Sequence, residues 1–471
     1  MAAGATITDV FKKKILLELD SDITTHGNYY IGIGRSNQWN STEAVPTPAG
    51  HNFDVREAAT SLQSIKVAED RSFVVPRNTW TSGTKYDAFD DRLTDYPTNK
   101  YYVINSANNV YMCLESAKNA NGVVQTSTVE PTSIILNKAF KNSDGYVWKF
   151  LYGLTTLNAN KFLSANFIPV NFQKTASGDA TLQQQKNIQD NAVAGQVSNI
   201  VLTAGGTGYS STPTVTIEGN GVGATATATV ISGIVTKINL DSSSDSCRAF
   251  GQNYTKASVK ITGGGGSGAT ARAVLAPKLG HGGDARDDLR STQMMFNTKP
   301  NGTESGKFLV GQDFRQICLL RDPLANDNST KFNSTNGLVL RSIKTNQSTI
   351  SGLSKDNFIK GATSGAMAYV DHIDSSVIFF HQSDSSGFKT FTAGENIEKV
   401  ASFAAGATTT ALGPAASLAV SAQFGPQAQA EGGAGVMDVF PQSFDVFYIE
   451  NRAPVVRDAA QTEDIKVVIS I

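Results

Sequence analysis

The sequence predicts a mainly β, multi-domain protein with minor α content. The chain has 471 residues, enough for about two to four domains. Charged residues make up 17% of it and it contains 42 glycines, whereas a typical soluble protein is about 25% charged. Short apolar runs bounded by turn residues recur along the chain, as is typical of strands. We expect a β-sandwich-like body that carries two inserted β modules rich in Gly, Ser and Thr.

Residues 1–172 are predicted to form a mixed, mostly β body. Thr8 to Asp20 is expected to be a helix, because its lysines and Glu18 give it a polar side. Glycines in the next apolar run indicate a strand with a close approach or a bend. Strands are expected at 28–34, at 64–75, at 101–114 as two strands joined at 106–109, and at 146–154.

An internal repeat follows a polar, Gln/Asn-rich segment at 173–194 that is suited to a linker. In the repeat, 197–202 resembles 235–240, 215–217 resembles 259–261, and 223–226 resembles 268–271. Ala and Thr alternate over 224–230, which predicts one face of methyl groups and tight packing. Because two copies are too few for a solenoid, we expect 195–278 to be an inserted sandwich-like or prism-like module.

The rest of the chain is predicted to return to the body, leave it and return again. Residues 279–328 form the first return segment, 329–430 a second inserted β module, and 431–471 the C-terminal strands that complete the body. In the return segment, Asp284 is expected to cap a helix that continues through Met294 to Phe296. Two final strands are expected at 443–451 and 463–471, on either side of Pro454.

Composition excludes several classes of protein. The 40 Lys+Arg balance 41 Asp+Glu, which argues against the basic surface that nucleic-acid binding requires. No run of 18 apolar residues is present, and the N-terminus has no secretory pattern. Cys113, Cys247 and Cys318 lie far apart without CxxC spacing, so we expect buried free thiols in a chain made in a reducing compartment.

Catalytic and metal-binding patterns are weak, and no cofactor is expected. The sequence lacks GxSxG, HExxH and phosphate-binding glycine motifs. The segment from His281 to Asp288 could hold a divalent cation, but a turn followed by a capped helix is the favoured interpretation. His372 and His381 could face each other in a hairpin. Paired carboxylates of the glycosidase kind stay open, with candidates at Asp90-Asp91 and Asp464.

Arginine and aromatic residues in short, distinctive strings are the main candidates for function. Large side chains of these types near turns dominate interface energetics. The alternative is that each tryptophan fills the core of its own domain. The candidate interface residues are Arg35, Trp39, Arg77, Trp80, Tyr146, Trp148, Arg315, Asn451 and Arg452.

These strings, in this order, resemble the baseplate wedge subunit 8 family of T-even-like contractile-tailed bacteriophages. The resemblance covers roughly 25–170, 305–325 and 440–471, under half of the chain, and the two inserted modules have no counterpart in it. Those modules resemble Gly-Tyr and Ser-Gly-Ala repeats of cyanophage virion proteins. The matching strings are Gly34-Arg35-Ser36 with Trp39, Pro76-Arg77 with Trp80, Asp144 to Trp148, Phe314 to Ile317 with Asp322-Pro323-Leu324, and Glu450 to Pro454 with Gln461 to Glu463.

The resemblance implies a structural virion protein and not an enzyme. It implies a homodimer in the virion tail baseplate that binds other wedge subunits and supports baseplate assembly. It would also permit the rearrangement of the baseplate on host attachment, without nucleic-acid or membrane partners. Synthesis and assembly would take place in the host cytoplasm. One alternative is an adhesin-like tail protein whose inserted modules bind host glycans; the first module offers it only Tyr209, Phe250 and Tyr254. A second alternative is a virion-associated glycan hydrolase, which requires a cleft with two close carboxylates.

Overall fold

The computed structural model describes residues 6–68, 70–93, 100–240, 250–412, 418–424 and 437–471. It confirms the predicted fold class, with strands at 40% and helices at 12%. The helices are α1 (Asp9–His26), α2 (Asn52–Thr60), α3 (Thr156–Phe162), α4 (Ala180–Asp190) and α5 (Ala285–Asp288), with a 3₁₀ turn at Glu304–Gly306.

The strands, in chain order, are β1 (Tyr29–Gly34), β2 (Leu62–Val67), β3 (Asp70–Pro76), β4 (Tyr102–Ile104), β5 (Asn109–Glu115), β6 (Phe140–Lys141), β7 (Val147–Gly153), β8 (Phe167–Val170), β9 (Val197–Thr207), β10 (Thr214–Gly219), β11 (Val222–Ala224), β12 (Ala226–Ile231), β13 (Ile234–Leu240) and β14 (Phe250–Gln252). They continue with β15 (Ala257–Thr262), β16 (Ser267–Leu275), β17 (Gln293–Thr298), β18 (Asp313–Arg321), β19 (Asn336–Leu338), β20 (Arg341–Thr345), β21 (Phe358–Gly361), β22 (Met367–Asp374), β23 (Val377–His381), β24 (Ile397–Val400), β25 (Thr409–Ala411), β26 (Val420–Phe424), β27 (Asp445–Val456) and β28 (Ile465–Ser470).

The chain divides into two compact units. Unit 1 comprises 1–16, 72–295 and 470–471, and unit 2 comprises 17–71 and 296–469. The repeat at 195–278 therefore belongs to unit 1 together with the preceding β segment, and the second Ser/Thr/Gly-rich region belongs to unit 2. The six segments drawn from the sequence stay predictions.

In unit 2, a five-stranded sheet has the order β19-β2-β1-β18-β27. Strand β1 is buried along its whole length and is paired on both sides. A Cβ at Gly32 would lie 2.8 Å from Leu62 Cδ1, and one at Gly34 would lie 2.7 Å from the Ser61 carbonyl oxygen. The close approach predicted at these glycines is confirmed.

The second Ser/Thr/Gly-rich region contributes a seven-stranded sheet, also in unit 2, with the order β25-β24-β21-β22-β23-β20-β26. Its core is aliphatic and aromatic and includes Ile359, Val370 and Phe380. In the β22–β23 ladder, Val370 pairs with Phe380 and His372 with Phe379. Asp371 is therefore the extra residue of a β-bulge, a feature that re-aims side chains. His372 and His381 do not pair, since His381 pairs with Tyr369.

In unit 1, the sheet β4-β5-β7-β6 holds a densely aromatic core. Strand β7 is buried throughout, and Tyr111, Trp148 and Phe150 are fully buried. Helix α4 occupies the segment that we expected to be a linker. Asp179 caps this helix by accepting from two backbone N–H groups, and Ile188 is packed into the aromatic core.

The two repeat copies in unit 1 exchange strands. The first strand of copy one, β9, pairs with β16, the last strand of copy two. The first strand of copy two, β13, pairs with β12 near the end of copy one, and the two middle strands, β10 and β15, pair with each other. The alanines of β12 are buried and its Thr227 is exposed, as the alternation predicted. The copies thus form one core, not two.

A tyrosine packs on a glycine at equivalent places in the two copies. A Cβ at Gly221 would lie 2.3 Å from Tyr254 Cγ, and one at Gly266 would lie 2.5 Å from Tyr209 Cγ. Both tyrosines are buried. Only glycine lets the ring approach the backbone this closely, so these tyrosines close the core of the module.

Two sequence predictions near the return segment and the C-terminus are wrong. Asp284 does cap a helix, but α5 ends at Asp288 and Met294 to Phe296 lie in β17, because a short apolar run suits a buried strand as well as a helix. Strand β27 runs through Pro454 to Val456. It is an edge strand, where proline is tolerated.

Candidate functional site

The candidate interface residues separate into two groups, one in each unit. In unit 1, Tyr146 and Trp148 are fully buried and stacked, with ring centroids 5.7 Å apart. The Trp80 indole nitrogen donates to Ser127 Oγ at 3.1 Å, and Arg77 donates to the Ser164 carbonyl oxygen at 2.9 Å. Trp148 therefore fills the core of its unit, as the alternative interpretation for the tryptophans expects, and Tyr146 lies in the same core.

In unit 2, five of the nine residues converge on β1, β18 and β27. The Arg35 guanidinium lies 4.1 Å from the centroid of the Trp39 ring. The Trp39 indole nitrogen donates to the Arg452 carbonyl oxygen at 2.9 Å. Asn451 accepts from Gln316 at 2.8 Å and donates to the Pro46 carbonyl oxygen at 3.0 Å. We call this group, with Arg315, the motif cluster.

Arg315 is the buried ion-pair centre of the motif cluster. Its guanidinium donates to both oxygens of Glu43, at 3.0 and 2.9 Å, to Asp313 at 3.0 Å and to the Ser36 carbonyl oxygen. Burial works to lower the pKa of Arg315, but the bonds and charge of Glu43 outweigh it and raise the pKa. The same bonds lower the pKa of Glu43. Such bidentate pairs fix geometry as well as charge.

The strand that carries Asn451 and Arg452 also carries half-exposed apolar side chains. Strand β27 is the edge of its sheet, and its Phe447 and Val456 are 49% and 56% exposed. Arg35, Trp39, Asn451 and Arg452 are themselves only partly buried. Edge strands are places where partner chains can pair.

Next to the cluster, unit 2 contains a partly open cavity of about 540 Å³. Its wall includes His381, whose Nδ1 donates to the Asp371 carboxylate at 2.8 Å. Asp371 is fully buried and also accepts from the Ser36 hydroxyl. In the described residues no hydrogen bond engages His381 Nε2, which is an acceptor when the ring carries a single proton on Nδ1.

Aromatic rings and acids complete the wall of this cavity. The rings of Phe403 and Phe358 are edge-to-face with centroids 4.6 Å apart, and Phe358 and Tyr369 are 5.6 Å apart. The Tyr369 hydroxyl donates to Asp356 at 2.8 Å. Burial and this carboxylate raise the pKa of Tyr369 well above its usual value.

Unit 1 contains a second Asp–His pair, which has the connectivity of a serine hydrolase triad. His281 Nδ1 lies 2.8 Å from Asp288, and His281 Nε2 lies 2.5 Å from Ser198 Oγ. Ser198 and Asp288 are fully buried. Ser198, His281 and Lys149 line a cavity of about 170 Å³. Sequence reasoning missed Ser198, which lies 83 residues from His281 in a strand without any nucleophile motif.

The other titratable side chains that were candidates for chemistry are either buried or held in ion pairs. Burial lowers the pKa of Lys149 to about 8 and raises that of Cys318 to about 12. Cys113 and Cys318 are free and buried, as expected, while Cys247 lies outside the described residues. No group of three His, Cys, Asp or Glu within the described ranges could hold a metal ion. Asp90 and Asp91 pair with Arg272, and Asp464 pairs with Lys466.

No protein-family model matches the chain, and no curated protein matches it in sequence. Among helices of the described residues, none combines the length and hydropathy of a membrane span.

Proposed function

We propose that this chain is a structural subunit of the baseplate wedge of a contractile-tailed phage. The observation that supports the proposal is the motif cluster. Three strings that resemble the wedge family, at 34–39, 314–317 and 450–454, are far apart in sequence but contact one another in unit 2. The cluster is partly exposed beside an apolar edge strand, which suits an anchor for a permanent interface.

The proposed work is binding: the chain forms a homodimer, holds other wedge subunits through unit 2, and stays in the assembled tail. The glycan-binding alternative has less support in the first module, because Tyr209 and Tyr254 are buried and cannot present their faces to a sugar. Phe250 is partly buried.

The test is a reconstruction of tails from a phage that encodes this chain, combined with one variant. Trp39→Ala removes the ring under Arg35 and the bond to β27, so we expect a folded chain that enters tails at least tenfold less often. Phe388→Ala is the control, because Phe388 is 46% exposed but lies outside the motif cluster. Equal incorporation of both variants, or density for this fold outside the baseplate, would contradict the proposal.

A further inference from the structure

We infer that the 540 Å³ cavity of unit 2 binds a guanidinium group, the side chain of an arginine that a partner protein presents. The inference rests on the proposed function, because it names the chemistry by which a wedge partner would be held. The volume lies within the range of about 300–1,000 Å³ for ligand pockets. The wall is built from parts of the chain as distant as Ser36 and Phe403.

The charges around the cavity favour a cation. Asp313 and Asp356 line it, and the buried carboxylate of Asp371 lies directly behind His381. Within the described part of the chain, Arg315 is the sole arginine or lysine in the wall. It donates two hydrogen bonds to Glu43 and one to Asp313, so two carboxylates share this one positive charge, and Asp356 adds a further carboxylate. An anionic ligand would meet net repulsion here, whereas a cation would be attracted.

The polar atoms that still need partners are acceptors. Asp356 uses Oδ1 to accept from Tyr369 and Gln312, while its second oxygen takes no hydrogen bond from the described residues. With His381 Nε2, the wall therefore offers two acceptors. A guanidinium, with five N–H donors in a plane, matches such a wall better than a single point charge does.

The aromatic rings supply the third element of recognition. Phe403, Phe358 and Tyr369 form a continuous edge-to-face row. A guanidinium stacks on aromatic faces and is more weakly hydrated than an ammonium group. The cavity thus combines a ring surface, negative charge and unfilled acceptors.

The probe for this site is the peptide acetyl-Gly-Arg-Gly-amide, titrated into the full chain and followed by saturation-transfer NMR. We expect a dissociation constant in the millimolar range, since one side chain supplies the contact. The same peptide with citrulline has the same shape but no charge, and we expect it to bind at least tenfold more weakly. Binding of citrulline equal to that of arginine, preferential binding of a neutral oligosaccharide such as chitotriose, or no binding would overturn the inference.

Two variants and a control locate the site. Asp356→Asn removes the charge but keeps an oxygen for Tyr369, and asparagine tolerates the positive φ of 67° at this position. We expect it to weaken arginine-peptide binding about tenfold, and Phe403→Leu to weaken it at least threefold. Asp374→Asn, at an exposed position of the same sheet, should leave binding unchanged.

If both site variants bind like the unchanged chain, the assignment to this cavity is wrong. These peptide measurements are independent of the tail reconstruction. If the chain is found in the baseplate but does not bind the arginine peptide, only this inference is overturned. A chain that binds the peptide but is absent from tails would overturn the proposed function.

Discussion

The two units each contain a histidine held by a fully buried aspartate, but a serine completes the two pairs in different ways. In unit 1, Ser198 contacts His281 Nε2, the imidazole nitrogen that Asp288 does not engage. In unit 2, Ser36 donates to the Asp371 carboxylate instead, and His381 lines a large cavity. Both ring nitrogens of His281 thus have partners within the protein, whereas Nε2 of His381 has none among the described residues.

The two pairs therefore differ in the partner of the serine hydroxyl, which is the imidazole in unit 1 and the carboxylate in unit 2. This difference decides whether the imidazole is left with a nitrogen that a ligand can contact. An Asp–His pair fixes the tautomer and direction of the imidazole in both units. Only where Nε2 has no internal partner can that direction serve a ligand. The cavity volumes agree with this difference, at about 170 Å³ beside His281 and about 540 Å³ beside His381.

The largest expected effect is on the free energy of unfolding, when the aspartate of each pair is replaced. Asp288→Ala would leave His281 Nδ1 and the Gly282 N–H without their acceptor, at a cost of about 3–5 kcal/mol. Asp371→Ala should cost less, about 1–3 kcal/mol, because water in the adjoining cavity can replace part of the lost bonding. Hydrogen exchange by mass spectrometry, read on peptides from each unit, measures the two losses separately.

Asp445→Ala is the control for both substitutions, since Asp445 is exposed and should change the free energy of unfolding by less than about 0.5 kcal/mol. Equal losses in the two units would show that the second pair is as closed as the first. The distinction between them would then be wrong.

A second prediction concerns pH and the buried amine in unit 1. Burial lowers the pKa of Lys149 to about 8, while an unfolded lysine titrates near 10.4. Between these two pKa values the unfolded chain binds the proton and the folded chain does not, so the free energy of unfolding should rise with pH over this interval. Below the interval the buried amine is charged in the folded chain, and the full cost of burying that charge then lowers the free energy of unfolding. We expect a gain of about 1–3 kcal/mol between pH 8 and 10.4.

Chemical denaturation of the full chain across this pH range measures the free energy of unfolding. The test variant is Lys149→Met. In that variant the rise should disappear. Lys141→Met, at an exposed position, should retain it. A slope that survives in Lys149→Met would assign the titration to another group.

The strand pattern, the close contacts along single strands and the residues of the motif cluster could be named from sequence, whereas the two Asp–His pairs could not. Alternation identified the Ala face of β12, and glycines marked the approach at Gly32. The pairing of Asp371 with His381 depends on a β-bulge. A bulge changes which face of the sheet the side chains occupy, and the apolar pattern of the sequence does not show where a bulge occurs. The contact of Ser198 with His281 depends on where distant segments meet, which local pattern does not encode.

The smallest expected effect is the absence of a reaction at Ser198. Its connectivity to His281 and Asp288 is that of a nucleophile, yet its side chain is fully buried, and a serine nucleophile must reach the carbonyl that it attacks. A fluorophosphonate probe should therefore leave Ser198 unmodified in the folded chain, and peptide mass spectrometry should find no more adduct there than in Ser198→Ala. Ser385, exposed in the unit 2 cavity, serves as the internal reference for background reactivity. Stoichiometric modification of Ser198 that His281→Gln abolishes would make the closed pair a catalytic one, and the proposal of a purely structural subunit would then fail.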